Sequence, residues 1–361
     1  MGKTTLARSL PDGLYFDCEL PRTRRLIEED VEGFLDQQAS GRLLLDEVHR
    51  LENPSEVLKI AADHYPGLRI LATGSSTLGA SGRFRDTLAG RKRSLHLPPV
   101  LFSELPAFGV TDLRRRLLHG GLPQNLAADR FPEKDFAEWI DAFWARDIQE
   151  MFRLERRSAF LRLLELLLAQ SGSLCELTSM AAPCGVSRQT LVNYLRVLEE
   201  TGAVHVLRPY ASNPQREITA MPKVYGFDTG FVCYARGWRE LRSEDLGLLW
   251  EHLVLDELRA RFGSGEIQYW RDKQKRELDF IVARRGCRPV AVECKWTLRG
   301  ASANNFRAFL AMHPGAVLVV VATDADMPRI HRGKGWVETG LAYIEEAIRL
   351  AGEMPSLESS A

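Results

Sequence analysis

Arg42-Leu43-Leu44-Leu45-Asp46-Glu47 is an unbroken apolar run that stops at two acids. A strand without polar alternation has no face to turn toward water. It belongs inside a sheet covered on both sides, the arrangement of parallel α/β folds. Short runs of the same kind recur at Leu14-Tyr15-Phe16-Asp17 and Arg69-Ile70-Leu71-Ala72-Thr73, and a fourth strand is predicted at Ser94-Leu95-His96-Leu97. Helical stretches such as Pro54–Tyr65 lie between them.

The start of the chain adds a motif. Gly2-Lys3-Thr4-Thr5-Leu6-Ala7 reads as the second half of a phosphate-binding loop, G-x-x-x-x-G-K-[ST], running into a helix. Met1 fills only one of the four x positions, and neither the first glycine nor the strand that delivers the chain into the loop precedes it. The expectation is a sheet lacking its first strand and a weakened nucleotide site. In a complete loop, backbone N–H groups cradle phosphate, the lysine reaches the β- and γ-phosphates and the Ser/Thr hydroxyl holds Mg²⁺. Here Lys3 and Thr4 take those roles, with Gly2 and Thr5 beside them. Asp46 is expected to complete the Mg²⁺ shell, and Glu47 to orient or deprotonate the attacking water. The plain alternative is a strand end followed by a helix cap. The next strand ends in Thr73-Gly74-Ser75-Ser76, so Thr73 or Ser75 is expected at the γ-phosphate or the water. Among Arg83, Arg85, Arg91 and Arg93, Arg91 is the candidate nucleotide contact. One of the four is expected to act as an arginine finger on a neighbouring subunit, unless the segment is simply solvated.

Composition narrows the classes. Lys plus Arg balances Asp plus Glu at 48 each, so any nucleic-acid surface must be local. The six cysteines form no C-x-x-C pair, which suits a reducing cytosol and argues against a zinc ribbon. No apolar run approaches the roughly 18 residues of a spanning helix, and no signal peptide is visible, so a cytoplasmic protein without a membrane partner is expected.

Beyond Gly120-Gly121-Leu122-Pro123 the pattern turns helical from Pro132 to Leu168, read as a helical lid or linker. Residues 171–239 are expected to form a winged helix-turn-helix. Its first helix is placed at Leu174–Ala182 and its turn at Pro183-Cys184-Gly185-Val186. Ser187 caps a recognition helix Arg188–Thr201, which Gly202 stops. Wing strands follow at Val204–Leu207 and Lys223–Phe227, joined through Asn213-Pro214. Arg188, Gln189, Asn193 and Arg196 would face DNA, although such modules also serve as protein-packing elements.

The last domain, residues 240–350, is predicted to open with helix Leu246–Arg261. Strands follow at Ile267–Arg271, Glu277–Ala283, Pro289–Lys295 and Ala316–Ala322, and residues 351–361 read as a polar tail. Glu293 and Lys295 alternate onto one side of a strand. Asp279 on the neighbouring strand and Glu251 on the preceding helix can join them. Acids that hold a metal and a lysine that steadies developing charge are what a Mg²⁺-dependent phosphodiesterase needs. A surface ion pair is the plain alternative.

The ordered series Gly2-Lys3-Thr4-Thr5-Leu6, Leu45-Asp46-Glu47, Thr73-Gly74-Ser75-Ser76, Gly90-Arg91, Leu97-Pro98-Pro99, Gly120-Gly121-Leu122-Pro123, Arg146-Asp147-Ile148, Thr190, Lys223-Val224-Tyr225, Asp228-Thr229-Gly230, Trp250-Glu251, Glu277-Leu278-Asp279-Phe280 and Glu293-Cys294-Lys295 covers nearly the whole chain. It resembles the prokaryotic AAA-type ATPases that carry a C-terminal domain of unknown function related to restriction-endonuclease folds. The resemblance implies an α/β P-loop domain (1–122) without its first strand, a helical lid (123–170), the winged helix (171–239) and an α/β nuclease-like domain (240–350). It implies ATP and Mg²⁺ as cofactors, and DNA and further copies of the chain as partners. A non-catalytic regulator and a nuclease with a decayed ATPase half are the rival readings.

Overall fold

The computed structural model describes residues 2–38, 41–74, 88, 90–149, 152, 154, 156–211, 221–284, 286–299, 304–331 and 336–353. Ser75, Arg83, Arg85 and Asn213-Pro214 from the sequence reading lie outside these residues. The chain divides into two compact units, one of residues 1–97, 138–157 and 193–203, the other of residues 98–137, 158–192 and 204–361.

The first unit contains α1 (Lys3–Ser9), β1 (Gly13–Asp17), α2 (Pro21–Glu28), α3 (Val31–Asp36), β2 (Gly41–Asp46), α4 (Pro54–His64) and β3 (Leu68–Ala72). The three strands form a parallel sheet in the order β1-β2-β3, with Phe16 opposite Leu45 and Leu45 opposite Ala72. Leu43, Leu44 and Leu45 are all buried, so the central strand is covered on both faces, as its unbroken apolar run requires. Ile27, Phe34, Leu35, Val57 and Ala61 supply the apolar cover for Leu43 and Leu45. Proline occupies the first turn of both α2 and α4, where its missing N–H costs nothing. The strand expected at Ser94–Leu97 does not form. Among the described residues it pairs with no neighbour, and Leu95 is 90% exposed. Alternation alone makes no strand when no ladder partner is at hand.

Further along the chain come α5 (Leu113–His119), α6 (Pro123–Ala127), α7 (Glu133–Phe143), α8 (Arg157–Ala169), β4 (Ser173–Leu174), α9 (Leu177–Cys184), α10 (Arg188–Glu200), β5 (Val204–Leu207), β6 (Lys223–Gly226) and α11 (Thr229–Ala235). β4, β6 and β5 form a small antiparallel sheet. The Thr190 N–H donates to Ser187 Oγ at 3.1 Å, the expected cap of α10, and Gly202 takes the left-handed conformation that ends it. The helix expected at Leu174–Ala182 is displaced. Leu174 joins β4, while Pro183 and Cys184 lie inside α9, so the turn begins at left-handed Gly185.

The remaining elements are α12 (Leu246–Phe262), β7 (Ile267–Arg271), β8 (Glu277–Val282), β9 (Val290–Lys295), α13 (Asn304–Met312), β10 (Val317–Ala322), β11 (Arg329–His331), β12 (Trp336–Thr339) and α14 (Ile344–Glu353). They build a six-stranded mixed sheet, β11-β12-β10-β9-β8-β7, in which β9, β10 and β12 run parallel and β7, β8 and β11 are antiparallel to their neighbours. β11 and β12 were not expected from sequence. α14 extends through Glu353, so the stretch read as a tail from 351 begins inside a helix.

A buried polar network fixes the second unit. The Arg116 guanidinium is fully buried and donates to Asp256 Oδ2 at 3.1 Å, to Thr229 Oγ1 at 3.0 Å and to the Val100 carbonyl at 2.9 Å. Asp228 accepts from the Gly121 N–H at 2.6 Å and the Gly230 N–H at 2.9 Å. Gly120 sits at φ 82, and a Cβ there would run into the Asp228 carboxylate. Gly120-Gly121 and Asp228-Thr229-Gly230 are thus two halves of one close approach. Burial raises Asp256 from 3.8 to about 7 although Arg116 pulls it down. Between those values the folded state keeps a proton that the unfolded chain releases. The stability this group contributes is therefore greatest in acid and is lost as pH rises through about 7. Arg116→Met should cost ~3–5 kcal/mol at pH 8, where Asp256 is left charged and unpaired. The loss should shrink at pH 5.5, where Asp256 is neutral. Urea unfolding at the two pH values checks this, and an equal loss at both would assign Arg116 to packing alone.

Candidate functional sites

The first candidate site lies at the C-terminal end of β2. Asp46 is buried and is the last residue of the strand. The Thr73 hydroxyl donates to its Oδ1, the Tyr15 hydroxyl to its Oδ2 at 2.6 Å, and the Thr4 hydroxyl also bonds it. Burial pushes Asp46 up, but these three donors and the Arg8 charge hold it below the ordinary aspartate value, so it stays ionised. Burial and the bond to Asp46 push Tyr15 up to about 12.

Glu47 follows with φ 51, a left-handed backbone that is strained for glutamate. Its N–H donates to Thr73 Oγ1 at 3.3 Å, so Thr73 bridges both acids. Its Oε2 lies 3.1 Å from His49 Nδ1. The His49 bond and the Lys3 charge outweigh burial and hold Glu47 below its ordinary value. Gly2 caps α1 at φ 77 without a side-chain bond, and Lys3 and Thr4 begin the helix half-buried, with Thr5 exposed. Arg91 pairs with Asp63 of α4 at 2.5 Å. A strand-end aspartate held by two threonines, with an ionised glutamate beside it, fits a Mg²⁺–nucleotide complex. Sequence reasoning missed Tyr15 and His49. Tyr15 is three residues up a strand with no polar signal of its own.

The second candidate site gathers on β6, β8, β9 and α12. The β8–β9 ladder pairs Val282 with Val290, Ile281 with Ala291 and Phe280 with Val292, and stops there. One step further the register would set Asp279 opposite Glu293. Asp279 Oδ2 instead accepts the Cys294 N–H at 2.7 Å. Lys295 Nζ donates to Glu293 Oε1 at 2.6 Å, while Glu293 Oε2 is buried with no hydrogen-bond partner. The Tyr225 hydroxyl donates to Glu251 Oε1. Lys223, only 4% exposed, lies 2.5 Å from Glu277 Oε1 and 3.6 Å from Glu251 Oε1.

Burial and the Asp279 charge raise both Glu251 and Glu293 to about 7, and burial raises Asp279 as well. Asp279, Glu293, Lys295 and Glu251 thus share one electrostatic neighbourhood, as the sequence led one to expect. Among the described residues, no three His, Cys, Asp or Glu side chains are gathered closely enough to hold a metal. The metal set Glu251, Asp279 and Glu293 is therefore not assembled as a cradle. Lys223, Tyr225 and Glu277 were not assigned roles from sequence. A lysine on a short strand reads as solvated, and only tertiary packing buries it.

Residues 1–106 match the AAA domain family, residues 110–242 a domain of unknown function (DUF8612) and residues 246–339 another (DUF4143). Uncharacterized proteins of Mycobacterium bovis and Mycobacterium tuberculosis are each 28% identical over 333 residues, which is 89% of this chain and 74% of the relative. The AAA match supports an AAA-type P-loop ATPase domain at the N-terminus, and such a domain implies nucleotide binding, typically with Mg²⁺. No described helix is long and apolar enough to cross a membrane.

The Thr73 bridge yields a direct test. Thr73→Val should leave one Asp46 oxygen without its donor and cost ~1–3 kcal/mol at pH 7. Because folded Asp46 titrates below its unfolded value, the stability it contributes is present above the unfolded pKa and is lost as pH falls through the folded one. The deficit of Thr73→Val should accordingly narrow in acid. Denaturant unfolding across pH 3–7 reads both effects.

Proposed function

We propose that the chain is an ATP-hydrolysing AAA-type protein acting on or near DNA. The proposed division is the P-loop domain (1–122), helical lid (123–170), winged helix (171–239) and nuclease-like domain (240–350). The observation that carries the ATPase reading is the Asp46–Thr73–Glu47 arrangement at the end of β2. Asp46 and Thr4 would hold Mg²⁺. Lys3 would neutralise phosphate charge, with Gly2 and Thr5 lining the loop. Glu47, ionised and backed by His49, would orient the attacking water and accept its proton. Bound Mg²⁺ supplies neutralisation of the phosphate oxygens.

DNA contact is proposed through α10. Arg188, Gln189, Asn193 and Arg196 are all exposed there, and turns of helix bring them to one side. A second reading, cleavage of a phosphodiester by Asp279, Glu293 and Lys295 with a divalent ion, is favoured by the unpartnered Glu293 Oε2.

Glu47→Gln should lower ATP turnover at least ~100-fold while leaving ATP binding intact, and Lys3→Ala should abolish binding. Steady-state hydrolysis and nucleotide titration measure the two. Wild-type turnover unchanged by Glu47→Gln would remove Glu47 from the reaction. For the DNA reading, the expected result is binding that weakens steeply with salt, with a shallower log–log slope after Arg188→Ala and Arg196→Ala.

A further inference from the structure

The carboxylate cluster of the second unit holds more negative charge than its surroundings balance. Four acids, Glu251, Glu277, Asp279 and Glu293, interact there. Arg271 pairs with Glu277 at 2.8 Å, and Lys295 with Glu293 at 2.6 Å. Both of those cations are partly exposed and reach in from strand ends. Lys223 differs. It is 4% exposed, comes from β6 of the small sheet, and places its ammonium between Glu277 and Glu251 with the Asp279 charge facing it. Its ammonium also stands 5.7 Å from the centre of the Tyr269 ring. A buried ammonium is costly unless acids surround it, and these acids are costly without a cation. Each side is present on account of the other.

The second observation is Glu293, 9% exposed, with Oε2 buried and unpartnered. An ionisable oxygen left bare in a buried cluster is the group that a divalent ion would engage. No three-ligand cradle exists among the described residues, and the occupied lone pairs explain why. Glu251 is committed to Tyr225 and Lys223, and Asp279 to the Cys294 N–H.

We propose that Lys223 is the resident cation of this cluster, standing where a divalent ion would stand, and that withdrawing it turns Glu251, Asp279 and Glu293 into a divalent-cation site. The inference rests on the nuclease-like reading of these residues and concerns how that site is kept closed. The route for withdrawal is the small sheet itself. Lys223 begins β6, and the sheet is tied to β7 by the Tyr210 N–H donating to the Tyr269 carbonyl at 2.6 Å and by the Tyr269 hydroxyl donating to the Met221 carbonyl. Displacing β6 from β8 would carry the ammonium away from the acids.

The test is Mn²⁺ binding by calorimetry on the full chain without nucleotide. Lys223→Met should bind Mn²⁺ at least ~10-fold more tightly than wild type, because a unit charge a few ångströms from the ion is removed. Lys223→Arg, which keeps the charge, should match wild type. Adding Glu293→Gln to Lys223→Met should abolish the gain and separate this site from the one at Asp46. Wild type binding as tightly as Lys223→Met at a Glu293-dependent site would overturn the role of Lys223 and leave the metal reading standing. No Glu293-dependent binding in any variant would remove both. If Lys223→Met folds only when Mn²⁺ is present, seen as a Mn²⁺-dependent rise in its unfolding temperature, the proposal is supported. If it folds in neither condition, the pair Lys223→Met with Glu277→Gln, which removes one charge of each sign, carries the same calorimetric test and the same overturning outcomes.

Discussion

The burial of Arg116 is the constraint on which the second unit turns. A guanidinium with no exposure must spend its donors inside the protein, and it does so on Asp256, Thr229 and Val100. Those partners come from α12, the start of α11 and the segment before α5. Asp228, one residue before Thr229, holds the Gly121 N–H. The result clamps α12 at Asp256, and the same helix carries Glu251 at the carboxylate cluster. Removing one member of such a network leaves a bare buried charge, which is why buried ion pairs constrain position more firmly than they add stability.

Charge compensation in partly buried ground also organises both candidate sites, with opposite outcomes. At the end of β2, hydroxyl donors from Thr4, Tyr15 and Thr73 stabilise the charged form of Asp46, and His49 does so for Glu47. Both acids are kept ionised and ready for a cationic ligand. In the β8–β9 cluster the acids face one another as well as two lysines, and burial pushes Glu251 and Glu293 up to about 7. The first arrangement suits a standing metal–nucleotide site. The second is a cluster whose acids are balanced from within the fold.

Several elements were legible because they depend on local chemistry. Ile267–Arg271 and Val204–Leu207 are bounded as their apolar patterns imply, and Ser187 and Gly202 bracket α10 as a cap and a stop should. The failures have a common cause. Ser94–Leu97 has a strand-like pattern and no partner. β12 has only four residues, and its buried Glu338 is satisfied by the Trp336 indole N–H at 3.0 Å and by His331 at 2.6 Å, contacts that no spacing announces. Leu174 fits a helix by composition and is claimed by β4 through its pairing with Lys223.

By itself the sequence determined the parallel strand framework around Leu43–Asp46, the position of Asp46-Glu47 at a strand end, and the placing of Asp279, Glu293 and Lys295 on adjacent strands. These follow from hydrophobic period and strand alternation, which are properties of neighbouring residues. Tertiary structure alone decided that Thr73 and Tyr15 bond Asp46, that Gly120-Gly121 closes on Asp228, and that Lys223 is buried among the acids. Those contacts join residues 27, 31, 108 and 54 positions apart, counting Thr73–Asp46, Tyr15–Asp46, Gly120–Asp228 and Lys223–Glu277. A lysine's burial is set by what packs over it and not by its neighbours in the chain, so the charge balance of this cluster became visible only in three dimensions.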